Sequence, residues 1–199
     1  MIYHDYIITK KINLDLVKLK QSCYQMSNLI DRKFNNASAL QGYTDSSGKS
    51  PVTTNLFSSY NLLMYPFDEL HELYEEIKAF FHECSVTEEK YYIQCWLNIY
   101  KSGSFIDWHN HWLPKDNTWH GFFCVDCEPS KTTYRIPGVM EPVDIVSENN
   151  LLVMSRSNGD THRTWPWEPT DRDRITIAFD IVPKNNVNPE AWLNHWLPI

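Results

Sequence analysis

No apolar run in this 199-residue chain approaches the roughly 18 residues that a helix needs to cross a bilayer. Basic charge is also short: 18 Lys and Arg face 25 Asp and Glu, for a net charge of −7. That balance argues against a broad basic footprint for nucleic acid, whose phosphates need clustered cations. Met1-Ile2-Tyr3-His4-Asp5 is not a secretory n-region, and Asp5, Lys10 and Lys11 interrupt any apolar stretch behind it. The cysteines are an odd, scattered set (Cys23, Cys84, Cys95, Cys124 and Cys127), which reads as reduced thiols in a cytoplasm. GxxxxGK[ST], GxGxxG, GxSxG and HExxH are all missing. Nucleotide hydrolysis, dinucleotide binding, serine hydrolysis and zincin proteolysis therefore lose their usual signatures.

What is present is a globular composition: 42% apolar and 14% aromatic residues, including eight Trp and eleven Tyr. Such side chains build sheets and line pockets. The length suits one domain, residues 1–199. Residues 2–12 read as a strand. Leu16, Leu19, Cys23, Met26 and Ile30 then recur at helical spacing over 15–34. A polar loop follows over 35–60, with Gly42, Gly48 and Pro51; its length marks it as a lid. Phe67, Leu70, Tyr74, Ile77 and Phe81 place a second helix over 66–84, with His71 and His82 on its surface. Beyond it the helical period gives way to short β-branched or aromatic runs at 91–101, 121–127, 132–136, 143–146, 150–154 and 174–182. The class is α+β, mostly β: strand and helices over 1–85, then a sandwich or open barrel over 86–183. Asn188-Pro189 opens a short tail helix, 188–196, pinned by Trp192 and Trp196.

Within the β region, Trp108-His109-Asn110-His111-Trp112 stands out. Histidines at i and i+2 on a strand or strand end project to the same side. A lone pair of this kind is most often two ordinary polar residues. His162 shifts the balance: it follows a predicted strand and the turn Arg156-Ser157-Asn158-Gly159, and can close three imidazoles around one ion. Neutral imidazole suits iron, zinc, copper and nickel. Asp107 is positioned to orient an imidazole from behind. Arg174, about twelve residues past His162 on an alternating strand, can hold an anionic co-substrate beside the metal. Arg172 shares its parity and competes for that role.

These residues, in the order Trp96-Leu97-Asn98-Ile99-Tyr100, Gly103, His109-x-His111, Trp119-His120-Gly121-Phe122-Phe123, His162, Pro166 and Arg174-Ile175-Thr176, resemble the Fe(II)/2-oxoglutarate-dependent oxygenases. Within them the likeness is to the branch related to prolyl hydroxylases that includes phage and marine microbial proteins. It covers roughly 91–183 and implies a double-stranded β-helix (jelly-roll) core buttressed by the two helices. By resemblance, His109 and His162 are the outer members of the HxD/E…H ligand triad, and no catalytic residue is needed beyond the ligands. Arg174 pairs with the far carboxylate of 2-oxoglutarate, Thr176 bonds the same group, and Tyr100 or Asn98 closes the co-substrate pocket. The family's acidic ligand falls at His111. Three neutral ligands leave the ion its full charge, which zinc also accepts. Asp107 is the fallback carboxylate, since 107, 109 and 111 share parity on a strand. Trp108, Trp112, Trp119, Trp165 and Trp167 crowd the ligand segments and are candidates to wall a substrate pocket, with the loop 112–120 as a second lid.

The resemblance implies hydroxylation of a prolyl or other amino-acid residue, or of a small molecule, with 2-oxoglutarate and O2 consumed. The partner is then a peptide, protein or small molecule, not nucleic acid or membrane, and the setting is the cytoplasm (the host's, for a viral protein). Oligomeric state is not legible. Two competing readings are a three-histidine cupin-type dioxygenase without 2-oxoglutarate, and a non-enzymatic jelly-roll module with structural zinc or no metal. Cys124-Val125-Asp126-Cys127 is read as structural, because i and i+3 face opposite sides of a strand and no second cysteine pair completes a zinc ribbon. His120 is expected at the mouth of the site rather than on the metal, and His195 in packing.

Overall fold

Asp15 opens the first helix by accepting the Lys18 N–H at 3.2 Å, and helix α1 runs Leu16–Phe34. Its stripe of Leu19, Cys23, Met26 and Ile30 is buried, with α1 lying against the sheet. Helix α3, Asp68–Cys84, starts with Asp68 and Glu69 at its positive end and buries Leu70, Leu73, Ile77, Phe80 and Phe81. His71 and His82 are exposed on its outer side. The computed structural model describes residues 2–4, 6–34, 52–85, 87–111, 116–157, 159–187 and 196–199.

Among the described residues the strands form two antiparallel sheets, and the content is mostly β. The larger has the order β1-β2-β7-β4-β9-β3-β10, and the smaller β6-β5-β8. Its strands are β1 (Ile2–His4), β2 (Ile7–Lys11), β3 (Tyr91–Tyr100), β4 (Trp119–Asp126), β7 (Leu151–Arg156), β9 (Arg174–Pro183) and β10 (Leu197–Pro198); the smaller holds β5 (Lys131–Arg135), β6 (Val143–Val146) and β8 (Thr161–Thr164). Strand β9 lies between β3 and β4, in register from Tyr100↔Arg174 to Tyr91↔Pro183. All ten of its residues are buried. Ile175, Ile177, Phe179 and Ile181 join the apolar core, while Arg174, Thr176, Ala178 and Asp180 alternate onto the other face and line cavities. Gly121 on β4 sits where a Cβ would run into the Val153 carbonyl and the Phe179 ring, so only glycine fits that crossing.

Three sequence expectations change, and a fourth falls almost wholly outside the described residues. The 2–12 strand is two strands, β1 and β2. The 35–60 loop is not wholly loop: residues 35–51 lie outside the described residues, but Val52–Asn55 is helical (α2), followed by 3-10 turns at Phe57–Ser59 and Leu62–Met64. Its polar residues dock it on β3. The Leu97 N–H donates to Tyr60 Oη (2.8 Å), and Asn61 accepts from Cys95 N–H (3.1 Å) and donates to the Ile93 carbonyl (3.0 Å). The tail helix 188–196, with Trp192 and His195, falls almost wholly outside the described residues, and the final residues add β10 to the edge of β3. Last, Cys124 and Cys127 do not face opposite ways. The register slips between Cys124 and Asp126, which pair with the consecutive residues Thr176 and Ile175. That bulge reverses the parity, leaving both cysteines buried and their thiols hydrogen-bonded.

Candidate functional site

The histidines come together because an irregular segment adds itself to the small sheet. Residues 101–111 are not a strand, but His109 N–H donates to the His162 carbonyl (3.0 Å), His162 N–H to the His109 carbonyl (2.9 Å), and Thr164 N–H to the Ile106 carbonyl (3.0 Å). This puts the His109 and His162 rings 4.3 Å apart. His111 lies 5.4 Å from His109 and 5.1 Å from His162, and His120, from β4, stacks 4.5 Å from His111. Nitrogen atoms of His109, His111 and His162 all lie within 4.8 Å of one another, a spread that one ion can bridge. A second such group, sharing His162, consists of His120, Asp160 and His162.

Each imidazole but one is held from behind. The Asp107 carbonyl accepts from His109 Nδ1 at 2.8 Å, which fixes the proton there and leaves Nε2 with its lone pair. His111 Nδ1 bonds Asp180 Oδ1 at 2.7 Å, and His120 Nε2 bonds Asp160 Oδ2 at 3.0 Å. His162 Nδ1 is buried with no hydrogen-bond partner. Burial, joined by the charge of His111, pushes His109 down to about 4. Burial also lowers His162 and His120, reinforced by the neighbouring imidazoles. His111 goes the other way: burial pulls it down, but the Asp180 carboxylate more than reverses this. Three of the four rings are thus kept neutral, which is the metal-ligating form.

The same cavity has a second end of different chemistry. Asn98, Tyr100, Thr132, Thr164, Arg174 and Thr176 line it, on strands β3, β5, β8 and β9. Arg174 is 2% exposed; its Nε donates to Ser130 Oγ (3.0 Å) and its guanidinium lies 5.5 Å from the Tyr100 ring centre. Among the described residues no carboxylate is within ion-pairing distance of it. Its charge is felt at Cys124, whose thiol is lowered first by a hydrogen bond from Cys127 and further by Arg174. Asn98 accepts from Thr54 Oγ1 (2.6 Å) and donates to Thr176 Oγ1 (3.3 Å), tying α2 to β9 across β3. This inner cavity is narrow, about 50 Å³. An outer one of about 270 Å³, lined by Thr54, Phe57, Asn110 and Asp180, shares Trp96, Ile106, His109 and His111 with it.

Several expected residues are elsewhere. Asp107 is not in the cluster: its carboxylate accepts the Trp108 N–H (2.8 Å), and the parity argument lapses because 107–111 is not a strand. Arg172 precedes β9, is exposed and bonds the Glu128 carbonyl, away from the cavity. Trp119 is buried against Phe81 on the helix side, since the next residue, His120, takes the cavity side of β4. Trp108 and Trp165 face outward on the small sheet, and Trp167 is buried with Nε1 donating to the Arg172 carbonyl (2.8 Å). Trp112 and residues 113–115 lie outside the described residues. The rest of the 112–120 loop is cut short by β4, which already begins at Trp119. Trp96, Phe57, Thr54 and Asp180 line the site without having been expected. Trp96 and Asp180 carried a signal, since they alternate with Asn98 and Tyr100 on β3 and with Arg174 and Thr176 on β9.

No protein-family model matches the chain, and no curated protein matches it in sequence. Solved structures do match its fold. A Pseudomonas putida prolyl-4-hydroxylase aligns over 88% of this chain and 92% of its own, at 11% identity and a TM-score of 0.56. A viral collagen prolyl hydroxylase of Paramecium bursaria Chlorella virus 1, solved as its 2OG complex, aligns over 88% and 95% at 13% identity and 0.54. A prolyl hydroxylase from Trichoplax adhaerens, solved with a hypoxia inducible factor peptide fragment, aligns over 91% and 85% at 11% identity and 0.54. At these identities the likeness is one of fold. No helix among the described residues is long and apolar enough to cross a membrane.

Proposed function

We propose that this chain is an Fe(II)- and 2-oxoglutarate-dependent oxygenase, of the phage and marine microbial kind with an HxH…H…R pattern, built as a single jelly-roll domain. The observation that carries the reading is Arg174. A buried guanidinium without a carboxylate partner is costly, and this one opens into the cavity that His109, His111, His120 and His162 line. A dianionic co-substrate spanning from metal to arginine removes that cost. In this reading His109, His111 and His162 hold the metal, through Nε2 in the first two, whose Nδ1 atoms are already engaged. The buried Nδ1 of His162, which has no hydrogen-bond partner, fits a metal ligand at this position. Arg174 takes the far carboxylate in a bidentate pair, Thr176 adds a hydroxyl, and Asn98 and Tyr100 close the pocket.

The iron and its co-substrate, when bound, supply the oxidation that puts a hydroxyl on a substrate C–H bond. The protein's own part is to bind, orient and keep water out. Asp180 holds the His111 ring in place and returns, one bond removed, the negative charge that a carboxylate ligand would have brought. Trp96, stacked 6.0 Å from His111, and Phe57, 5.6 Å from Trp96, wall the outer cavity where a prolyl or other amino-acid residue of a peptide, or a small molecule, meets the metal. The test is succinate formation from 2-oxoglutarate with Fe(II) and ascorbate, alongside 2-oxoglutarate binding by calorimetry. Loss of both sinks the co-substrate assignment; oxygen uptake without succinate favours a three-histidine dioxygenase.

A second ligand set is supported by one observation, the proximity of His120, Asp160 and His162, which restores a two-histidine, one-carboxylate composition. Asp160 does not line the cavity and is already bonded to His120. The set with His109 and His111 is therefore preferred, and His120 is the neighbour that stacks against it.

A further inference from the structure

The two faces of the small sheet carry different chemistry. Inward go Thr132, Tyr134 and His162; outward go Lys131, Thr133 and Arg135 on β5 and Arg163 on β8. Trp108 and Trp165, from the segments beside β8, stand between those cations. The Arg135 guanidinium is 3.9 Å from the Trp108 ring centre. That of Arg163 is 4.9 Å from Trp108 and 4.2 Å from Trp165, and Lys131 Nζ is 4.7 Å from Trp165. The outcome is an unbroken alternation of Arg135, Trp108, Arg163, Trp165 and Lys131. Such a ladder is a local concentration of positive charge on a chain whose net charge is −7.

Among the described residues, Lys131 is the one rung with a carboxylate at ion-pairing distance. Lys131 pairs with Asp144 at 2.6 Å, and Thr133, which accepts from Trp165 Nε1 (2.7 Å), also bonds Asp144. Among the described residues neither Arg135 nor Arg163 has a carboxylate within ion-pairing distance, although the Asp144 charge, already shared with Lys131 and Thr133, reaches Arg163; Arg163 Nε is buried without a hydrogen-bond partner. Stacking on indole strips water from a guanidinium face and holds the group still, leaving its N–H edges for two parallel bonds to a carboxylate. Intramolecular stacking alone accounts for the order of the ladder. It does not account for three cations, Arg135, Arg163 and Lys131, that share one carboxylate, Asp144, among the described residues.

We propose that this outer face docks an extended acidic segment of a partner polypeptide, with alternate Asp or Glu side chains on Arg135 and Arg163. The spacing agrees. Arg135 pairs across the strands with Thr161 and Thr133 with Arg163, so the two arginines are diagonal neighbours, about 7–8 Å apart. Side chains two residues apart on an extended partner are about 6.7 Å apart. Single-stranded nucleic acid is a poorer fit. Its sequence-tolerant binding needs open aromatic platforms, and both indoles here are already covered by cations. The proposal goes beyond the oxygenase reading and needs neither metal nor co-substrate, so it can fail while that reading stands.

The test is fluorescence anisotropy of the full chain with three fluorescein-labelled probes at low salt: a ten-residue peptide alternating Glu and Thr, its Lys and Thr counterpart, and a ten-nucleotide oligo(dT). The glutamate peptide should bind, weaken as salt rises, and outcompete both others. The double variant Arg135→Gln, Arg163→Gln should bind it about tenfold or more weakly with an unchanged melting curve. Arg163→Lys, which keeps the charge and loses the fork, should fall between. Should the double variant melt early, Arg135→Gln alone carries the test, because Arg135 is exposed, with about a threefold loss expected. No binding of the glutamate peptide, equal binding by the variants, or tighter binding of oligo(dT) overturns the proposal.

Discussion

The two ends of the inner cavity are built in opposite ways. The arginine end is made from regular strands: Asn98, Tyr100, Arg174 and Thr176 hold their places through the ten-residue pairing of β3 with β9. The histidine end gathers His109 and His111 from an irregular segment, His120 from β4 and His162 from β8, and depends on hydrogen bonds to Asp107, Asp160 and Asp180 to aim the rings. A sheet tolerates loss of one lining residue without moving the others. A cluster aimed by single hydrogen bonds does not.

That contrast is broken most completely at His162, which both metal-capable groups share. His162→Ala should lower affinity for Fe(II), or Co(II) as its stand-in, by well over the ~100-fold that marks the upper cost of losing an outer partner, by calorimetry. Retention of near-normal affinity would exclude both ligand sets. At the other end, Arg174→Met should weaken 2-oxoglutarate binding by about 30-fold or more and leave metal binding nearly intact. Because it removes a buried, uncompensated charge, the same variant should leave the melting temperature of the metal-free protein unchanged or raised. A large drop in melting temperature instead would mean that the arginine is structural.

Asp180→Asn is the finer test of the histidine end. It should cost about 10- to 100-fold in metal affinity and alter the visible spectrum of the Co(II) form, while Asp180→Glu recovers part of both. Equal or larger effects from Asp160→Asn would favour the alternative set. The smallest expected effect is with pH. His109, His120 and His162 have folded values below the ordinary 6.5, so the stability they contribute is complete above that value. It is lost as pH falls from there toward about 4, the His109 value. His111, raised by Asp180, acts with opposite sign: its contribution is present at low pH and fades as pH climbs through its folded value. Metal-free protein should therefore unfold more easily between pH 6.5 and 4, and Asp180→Asn should steepen that loss, in urea titrations at stepped pH. A flat profile would contradict the burial of the three neutral rings.

Much of this was legible in the sequence. Helices α1 and α3, the main strands and the grouping of His109, His111 and His162 follow from period and residue type, whereas parity left Arg172 and Arg174 level and the structure puts Arg174 on the cavity. Trp108, Trp119, Trp165 and Trp167 lie near the ligands in sequence but not in the pocket. Trp119 adjoins His120 on β4, where a neighbour points the other way, and Trp108, beside His109 in an irregular segment, turns out onto Arg135 and Arg163. The same alternation, applied to Arg174 and Thr176, leads to Asp180, and applied to Asn98 and Tyr100, leads to Trp96.

By itself, the sequence determined the inventory: imidazoles in a pattern that suits one ion, an arginine on a strand with a threonine two residues on, and no motif for competing chemistries. Those depend on residue type and local period, which short-range physics sets. Only the tertiary structure decided which carboxylate stands behind which imidazole, that Arg172 faces away, and that an arginine–tryptophan ladder covers the outside of the small sheet. Asp180 meets His111 across 69 residues because β9 pairs in one register and no other, and Cys124 and Cys127 come together because that register slips once. Registers are settled by the burial of whole strand faces at once, a property that no local window contains.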